Sequence, residues 1–228
     1  DRAKALALYA KALRIENEAR EPAAALPTFI EIVELDPHFI KAHLQIAAYY
    51  FRLRQYDDAL THLEKAVADN PDSGDLKSTT AYAYYLLGRY DEGEALARKV
   101  LEAEPQNLRA YRTIVEIFAR EERPEAIDEL ITETMKKVEG DGPFWMQVAA
   151  MYRFGLGTIG IRDKEKVFKR IKPVLLKAIA SGEKGEEVYS LLADAEASLG
   201  NDAQAVKYAA KAIEVGDESA RLYRRLAA

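Results

Sequence analysis

The residues that could do chemistry in this chain are few, and their spacing is wrong for it. Metal ligands on a helix must return to one face within a turn, three or four residues apart. The three histidines, His38, His43 and His62, offer no such pair. His43 falls at a first-turn packing position, and structural roles are expected of all three. The absence of cysteine removes disulfides, thiolate nucleophiles and Cys-ligated zinc together. The carboxylate pairs Asp57-Asp58 and Glu121-Glu122 stand at helix ends, where acids settle against the helix dipole or into water. Residues 155–160 spell Gly-x-Gly-x-x-Gly, the pattern that lets a backbone approach a dinucleotide pyrophosphate. That chemistry needs a preceding strand, and Met146 to Phe154 reads instead as an amphipathic helix. The segment is therefore expected to be a mobile or partner-facing turn without nucleotide affinity, and Trp145 to be helix-packing core. No catalytic residue, metal or cofactor is expected, and the chain reads as not an enzyme.

The elements that must position everything else repeat. Pro37, Pro71 and Pro105 stand in matching contexts, ELDP, DNP and EAEP, at steps of 34 residues. The same step aligns Tyr50, Tyr84, Phe118 and Tyr152, and also Ala47, Ala81, Val115 and Ala149. Ala25, Ala59 and Gly93 form a column of small residues where helices could approach closely. Within a unit the apolar period is helical: Ile46, Tyr50 and Leu53, then Leu60, Leu63 and Val67 after a break at Arg54-Gln55. Each unit is two helices. Gly88 and Gly200 suit the left-handed residue that ends a first helix, and the residue before each proline is biased against continuing the second. The pattern predicts helices at 2–19, 23–35, 39–53, 56–69, 74–87, 90–103, 107–121, 124–138, 143–154, 163–181, 186–199, 202–215 and 218–227. Pro27 requires the second to begin late or bend.

Composition agrees with a packed helical protein: 49% of the 228 residues are hydrophobic, too many for a disordered chain. Charged residues interrupt every apolar run, so the visible chain contains no stretch of ~20 residues able to cross a membrane. A net charge of -5 argues against nonspecific nucleic-acid binding without saying how charge is placed on each face. The chain opens on Asp1 with no basic-then-apolar leader, which predicts a processed or shortened form; it would be cytoplasmic, or periplasmic if a leader preceded Asp1.

These columns resemble the tetratricopeptide repeat (TPR) family, whose 34-residue helix-turn-helix units stack into a right-handed superhelix. The resemblance is strongest over 40–107, where Ile46, Ala47, Tyr50, Tyr56, Ala59, Leu63, Ala66 and Pro71, then Ala81, Tyr84, Gly88, Tyr90 and Pro105, sit where the family signature wants them. It implies an all-α solenoid of six helical pairs plus a terminal helix. As one domain over 1–228, its repeats fall at about 6–39, 40–73, 74–107, 108–141, 142–185, 186–219 and 220–228. The fifth carries ten extra residues, since Trp145 and Ala149 find Tyr189 and Ala193 at a step of 44 rather than 34. That excess is expected as an enlarged turn around Gly155 to Gly160, whose deletion should leave the solenoid folded.

A second stripe in each first helix would line the inner curve of such a superhelix. It supplies Lys41, Phe51 and Arg52; Tyr82 and Tyr85; Arg109, Arg112, Glu116 and Arg120; and Gln147, Arg153 and Phe154. Cations outnumber acids there in a chain that is acidic overall. Arginine forks pair with carboxylates and aromatic rings bury apolar side chains, so the stripe predicts a groove for an acidic peptide with hydrophobic anchors. Reversing Arg112 is expected to weaken such a ligand without disturbing the fold. Leu44 and Ala48 occupy polar positions of the carboxylate clamp by which some TPR proteins hold a chaperone's C-terminus, so co-chaperone status is not implied. The function expected is a noncatalytic protein-interaction scaffold. The same basic, aromatic stripe also leaves open single-stranded RNA binding, and the chain's ends leave open a regulatory part of a larger enzyme.

Overall fold

The computed structural model describes residues 2–18 and 23–226, with side chains through 216. All its regular elements are helices: α1 (Arg2–Glu18), α2 (Leu26–Leu35), α3 (Ile40–Arg52), α4 (Tyr56–Asp69), α5 (Gly74–Leu86), α6 (Tyr90–Ala103), α7 (Leu108–Arg120), α8 (Pro124–Lys137), α9 (Gly142–Thr158), α10 (Lys164–Ala180), α11 (Glu186–Ser198) and α12 (Asp202–Leu226). Among the described residues there is no strand. The chain divides into two compact units, Asp1–Ile117 and Phe118–Ala228.

In the first unit each helix packs on the next from α1 to α6, and α3 also packs on α5. That is the arrangement of antiparallel pairs whose first helices stack. In the second unit α8 to α12 pack in sequence and α8 also meets α10, the corresponding stacking of second helices. The buried side chains follow the apolar period. Phe29, Ile32, Ile46 and Tyr49 close the core around α1 to α3, and Leu60, Leu63, Ala66 and Leu76 the next layer. A repeat cannot bury its own apolar face, so stability comes from such neighbour-to-neighbour layers.

The punctuation repeats as strictly as the core. Ser73, Asn107 and Asp141, again 34 apart, each accept a backbone N–H three residues on, from Leu76, Ala110 and Phe144 at 3.2, 3.0 and 2.9 Å, capping α5, α7 and α9. First helices end in a Schellman turn. The N–H groups of Gln55, Arg89 and Arg123 bond to the carbonyls of Tyr50, Tyr84 and Phe118 at 2.8–2.9 Å, and the residue before each donor is left-handed. That residue is Gly88 in one unit but Arg54 and Glu122 in its neighbours. Pro27 falls in the first turn of α2, which begins late, at Leu26.

The sequence expectations need two corrections. The excess in the fifth repeat is not an enlarged turn. α9 has 17 residues where α7 has 13, α10 has 17 where α8 has 14, and the connection between them is only 159–163. Gly155 and Leu156 are buried inside α9, and the Schellman bond has moved one helical turn onward, from Ile161 N–H to Leu156 carbonyl across left-handed Gly160. Helix tolerated Gly155 and Gly157 because Leu156 gained a fully buried position. The second correction is at the end: α12 runs unbroken from Asp202 to Leu226, so no separate helix starts at 218 or 220. Tyr223 and Leu226, which the 34-residue step from Tyr189 and Leu192 would align, have side chains outside the described ones.

Candidate functional site

Of the predicted stripe residues of the first unit, Phe51, Tyr82, Tyr85, Arg109, Arg112 and Glu116 come together on α3, α5 and α7. Phe51 meets Tyr82 edge-on, with ring centroids 5.7 Å apart, Tyr82 meets Tyr85 at 5.7 Å, and Tyr85 meets Tyr90 at 6.0 Å. Tyr90, from the first turn of α6, is the member that the stripe pattern did not include; its column with Tyr56 was visible as packing only. Edge-to-face and tilted contacts hold the rings in fixed places. Beside them lies a hollow of about 280 Å³, lined by Leu44, Ala48, Phe51, Thr79, Tyr82, Arg109, Arg112 and Thr113.

The two arginines on its rim are held differently. Arg109 Nη1 donates to Thr79 Oγ1 at 2.5 Å, and that hydroxyl donates to the Asp75 carbonyl at 2.7 Å. Arg112 Nε donates to Glu116 Oε1 at 2.7 Å. Glu116 is 7% exposed, whereas the Arg112 side chain is 62% exposed. The pair therefore anchors one edge of the guanidinium on a buried carboxylate and turns the rest outward. The Glu116 hydrogen bond also holds the Arg112 pKa above its ordinary value. Burial, seconded by the Glu116 charge, pushes the Tyr82 hydroxyl up, so it stays protonated and able to donate.

The remaining predicted residues lie elsewhere. Lys41 is exposed in the first turn of α3. Arg52 stacks over the Tyr49 ring at 4.1 Å and approaches Glu16 at 3.9 Å, and Tyr49 donates to that same Glu16 at 2.8 Å. In the second unit Arg120 is exposed at the end of α7. Gln147, Arg153 and Phe154 form an exposed stripe on α9 with Ala150 between them, Phe154 being 53% exposed.

The histidines make a structural network that their spacing in sequence concealed. His43 and His62, on facing positions of α3 and α4, share a hydrogen bond of 3.2 Å between Nδ1 and Nε2. His43 Nε2 lies 2.9 Å from the Pro37 carbonyl, which can only accept; His43 Nδ1 is thus the acceptor and His62 the donor in the shared bond. Asn70 donates to the same Pro37 carbonyl at 3.0 Å and to Ala66 at 2.9 Å. Burial lowers the pKa of both histidines, that of His62 to about 4. Later repeats keep the first of these contacts with other residues: Tyr111 donates to the Pro105 carbonyl and Trp145 to that of Gly140, each at 3.0 Å. At the first-turn position His43, Tyr111 and Trp145 thus each use a ring to reach the preceding turn, whereas the repeat of α5 has Lys77 there.

In the second unit, Tyr152 donates to Asp128 and Arg170 Nε to both Asp128 oxygens at 3.0 and 3.1 Å. Lys172 and Asn201 each donate at 2.8 Å to the buried Glu196, whose pKa the lysine holds down.

Comparison with known proteins agrees with this architecture. Models of the tetratricopeptide repeat match residues 50–117 and 186–215. A TPR repeat-containing protein of Bacillus subtilis (strain 168), YpiA, is 23% identical over 128 residues, which are 56% of this chain and 30% of that protein. Among solved structures, yeast Tom70 superimposes over 96% of this chain and 47% of its own, with a TM-score of 0.61 at 17% identity. The C-terminal part of a TPR repeat-containing protein from Cytophaga hutchinsonii covers 96% and 80% with a TM-score of 0.60 at 14% identity. PilF of Pseudomonas aeruginosa covers 92% and 90% with a TM-score of 0.55, also at 14% identity. With helix pairs, caps and left-handed turns recurring in one 34-residue register and two stretches matching the repeat itself, the chain carries tetratricopeptide repeats.

Proposed function

We propose that the first unit binds a short segment of another protein in the hollow between α3, α5 and α7, with an apolar side chain against Phe51 and Tyr82 and an acidic one against Arg109 and Arg112. The family and its fold support a protein-interaction scaffold. The observation that carries the finer reading is two outward-facing guanidiniums on the rim of an aromatic hollow in a chain of net charge -5. A guanidinium anchored through one edge is already oriented, so less side-chain freedom is lost on meeting a carboxylate. The exposed stripe of Gln147, Arg153 and Phe154, and Arg120, would offer peptide contacts of the second unit's own.

Because Glu116 depends on Arg112, the test must not strand it. Arg109→Glu combined with Arg112→Gln and Glu116→Gln removes the rim charges while keeping the buried position neutral. A fluorescent peptide library varying acidic and aromatic positions, read by anisotropy, should yield binders that prefer an acid next to an aromatic or aliphatic residue. The triple variant should weaken them at least tenfold with an unchanged melt. Equal binding by parent and variant, or selection of basic peptides, would refute the groove; binding of single-stranded RNA but no peptide would favour the nucleic-acid reading.

A further inference from the structure

The second unit gathers positive charge where the chain as a whole is negative. Over residues 162–172, Arg162, Lys164, Lys166, Lys169, Arg170 and Lys172 stand against Asp163 and Glu165. A hollow of about 880 Å³ opens between the first turn of α8 and the α9–α10 connection, and Arg162, Lys166, Lys169 and Arg170 line it. Of the three acids that line it, Glu125, Asp128 and Asp163, the last two are occupied. Asp128 accepts from Arg170 and Tyr152, and Asp163 caps α10 by accepting from Lys166 N–H at 3.2 Å. Arg162, Lys166 and Lys169 are exposed and have no ion-pair partner among the described residues. Lys166 and Lys169 are also neighbours on one helix face, where like charges repel by a few tenths of a kcal/mol. An unpaired cluster of this kind is relieved by an anion.

We infer that this hollow is a second docking site, for an acidic segment of a protein partner. Its surroundings choose the occupant. Glu122, Glu125 and Glu129 stand exposed along the α8 side, so a broad anionic surface such as a membrane or a nucleic-acid backbone would meet carboxylates as it approached the lysines. Glu125 lines the hollow on its α8 side, and a single extended peptide held along the α10 side meets fewer of these carboxylates than a broad surface would. Charge complementarity thus favours a narrow polyanion over a wide one. The site is independent of the α3–α5–α7 hollow, since it uses none of the same residues.

The experiment uses the full chain and a fluorescein-labelled hexaglutamate peptide read by anisotropy at low salt. Arg162→Glu/Lys166→Glu/Lys169→Glu should weaken binding at least tenfold, and the corresponding triple glutamine variant at least threefold, with helical melts like the parent because the side chains are exposed. A charge-matched control, Lys11→Glu/Lys99→Glu/Lys207→Glu, should change it less than twofold. No measurable binding, equal weakening by the charge-matched control, or tighter binding to phosphatidylserine vesicles or oligothymidylate than to the peptide would overturn the inference. Loss in the Arg109 variant alone would move the acidic site to the first unit.

Discussion

His62 is neutral in the folded chain because burial, the neighbouring His43 and Lys65 all oppose a charge there, holding its pKa at about 4 against an ordinary 6.5. The unfolded chain binds that proton first, so stability rises with pH between about 4 and 6.5 and is flat above. Acidification through that window should lower unfolding free energy by up to about 1.4 kcal/mol per pH unit for this group. His62→Gln can still donate to His43 Nδ1 without titrating. Urea midpoints between pH 6.5 and 5, above the usual carboxylate range, should fall for the parent and fall distinctly less for the variant; parallel slopes would contradict the assignment. The arginines make a second contrast at this scale. Arg112→Glu leaves the buried Glu116 facing a like charge and should cost about 2 kcal/mol in a thermal or urea melt. Arg109→Glu loses a contact to a hydroxyl that keeps its bond to the Asp75 carbonyl, and should cost less than about 0.5 kcal/mol. The expectation that Arg112 could be reversed without disturbing the fold therefore fails on one number, the burial of its partner.

At the level of the helices, the turn after each first helix demands a left-handed residue whatever the sequence offers. Arg54 at φ 58° and Glu122 at φ 55° accept that conformation where Gly88 has it without strain. A non-glycine residue there costs roughly 1 kcal/mol, partly recovered through its smaller freedom in the unfolded chain. Glu122→Gly should thus stabilise by about 0.5 kcal/mol, whereas Gly88→Ala should destabilise by about 1 kcal/mol, both readable in urea titrations. The long helix α9 gives the opposite lesson about glycine. Leu156, between two glycines and apparently part of a loop signal, is fully buried. Leu156→Ala should cost about 2–4 kcal/mol, which no exposed turn residue would. Helix existence and order were readable because each unit repeats one apolar period with proline and cap punctuation. The extra turn of α9 was not, since glycine-rich composition signals a loop only until tertiary burial outweighs propensity. For the proposed groove, stripe spacing put Phe51, Tyr82, Tyr85, Arg109 and Arg112 on one face, where the structure also has them. It could not separate Arg52, whose approach to Glu16 of α1 is a contact with another helix and leaves no trace in local periodicity.

Across the whole chain, the question is whether the repeats unfold together. In repeat arrays stability is a sum of intrinsic terms and neighbour interfaces, so cooperativity holds only while each added layer is worth more than the cost of a boundary. The division between the two compact units falls inside one helix: Ile114 and Ile117 of α7 belong to the first, Phe118 and Ala119 to the second, and all four are buried. A frontier between folded and unfolded repeats placed there would have to break α7. We therefore propose that the chain unfolds as one array. Trp145 gives the means to check it, being the sole tryptophan, fully buried, and wholly within the second unit. Its emission reports that unit alone, while ellipticity at 222 nm reports all helices. At neutral pH the two signals should trace one urea transition with the same midpoint. At pH 5, where the His43–His62 pair weakens the first unit, both midpoints should fall together although Trp145 is far from those histidines in sequence. If ellipticity alone shifted at pH 5 while the tryptophan transition stayed in place, the two units would be separate folding domains.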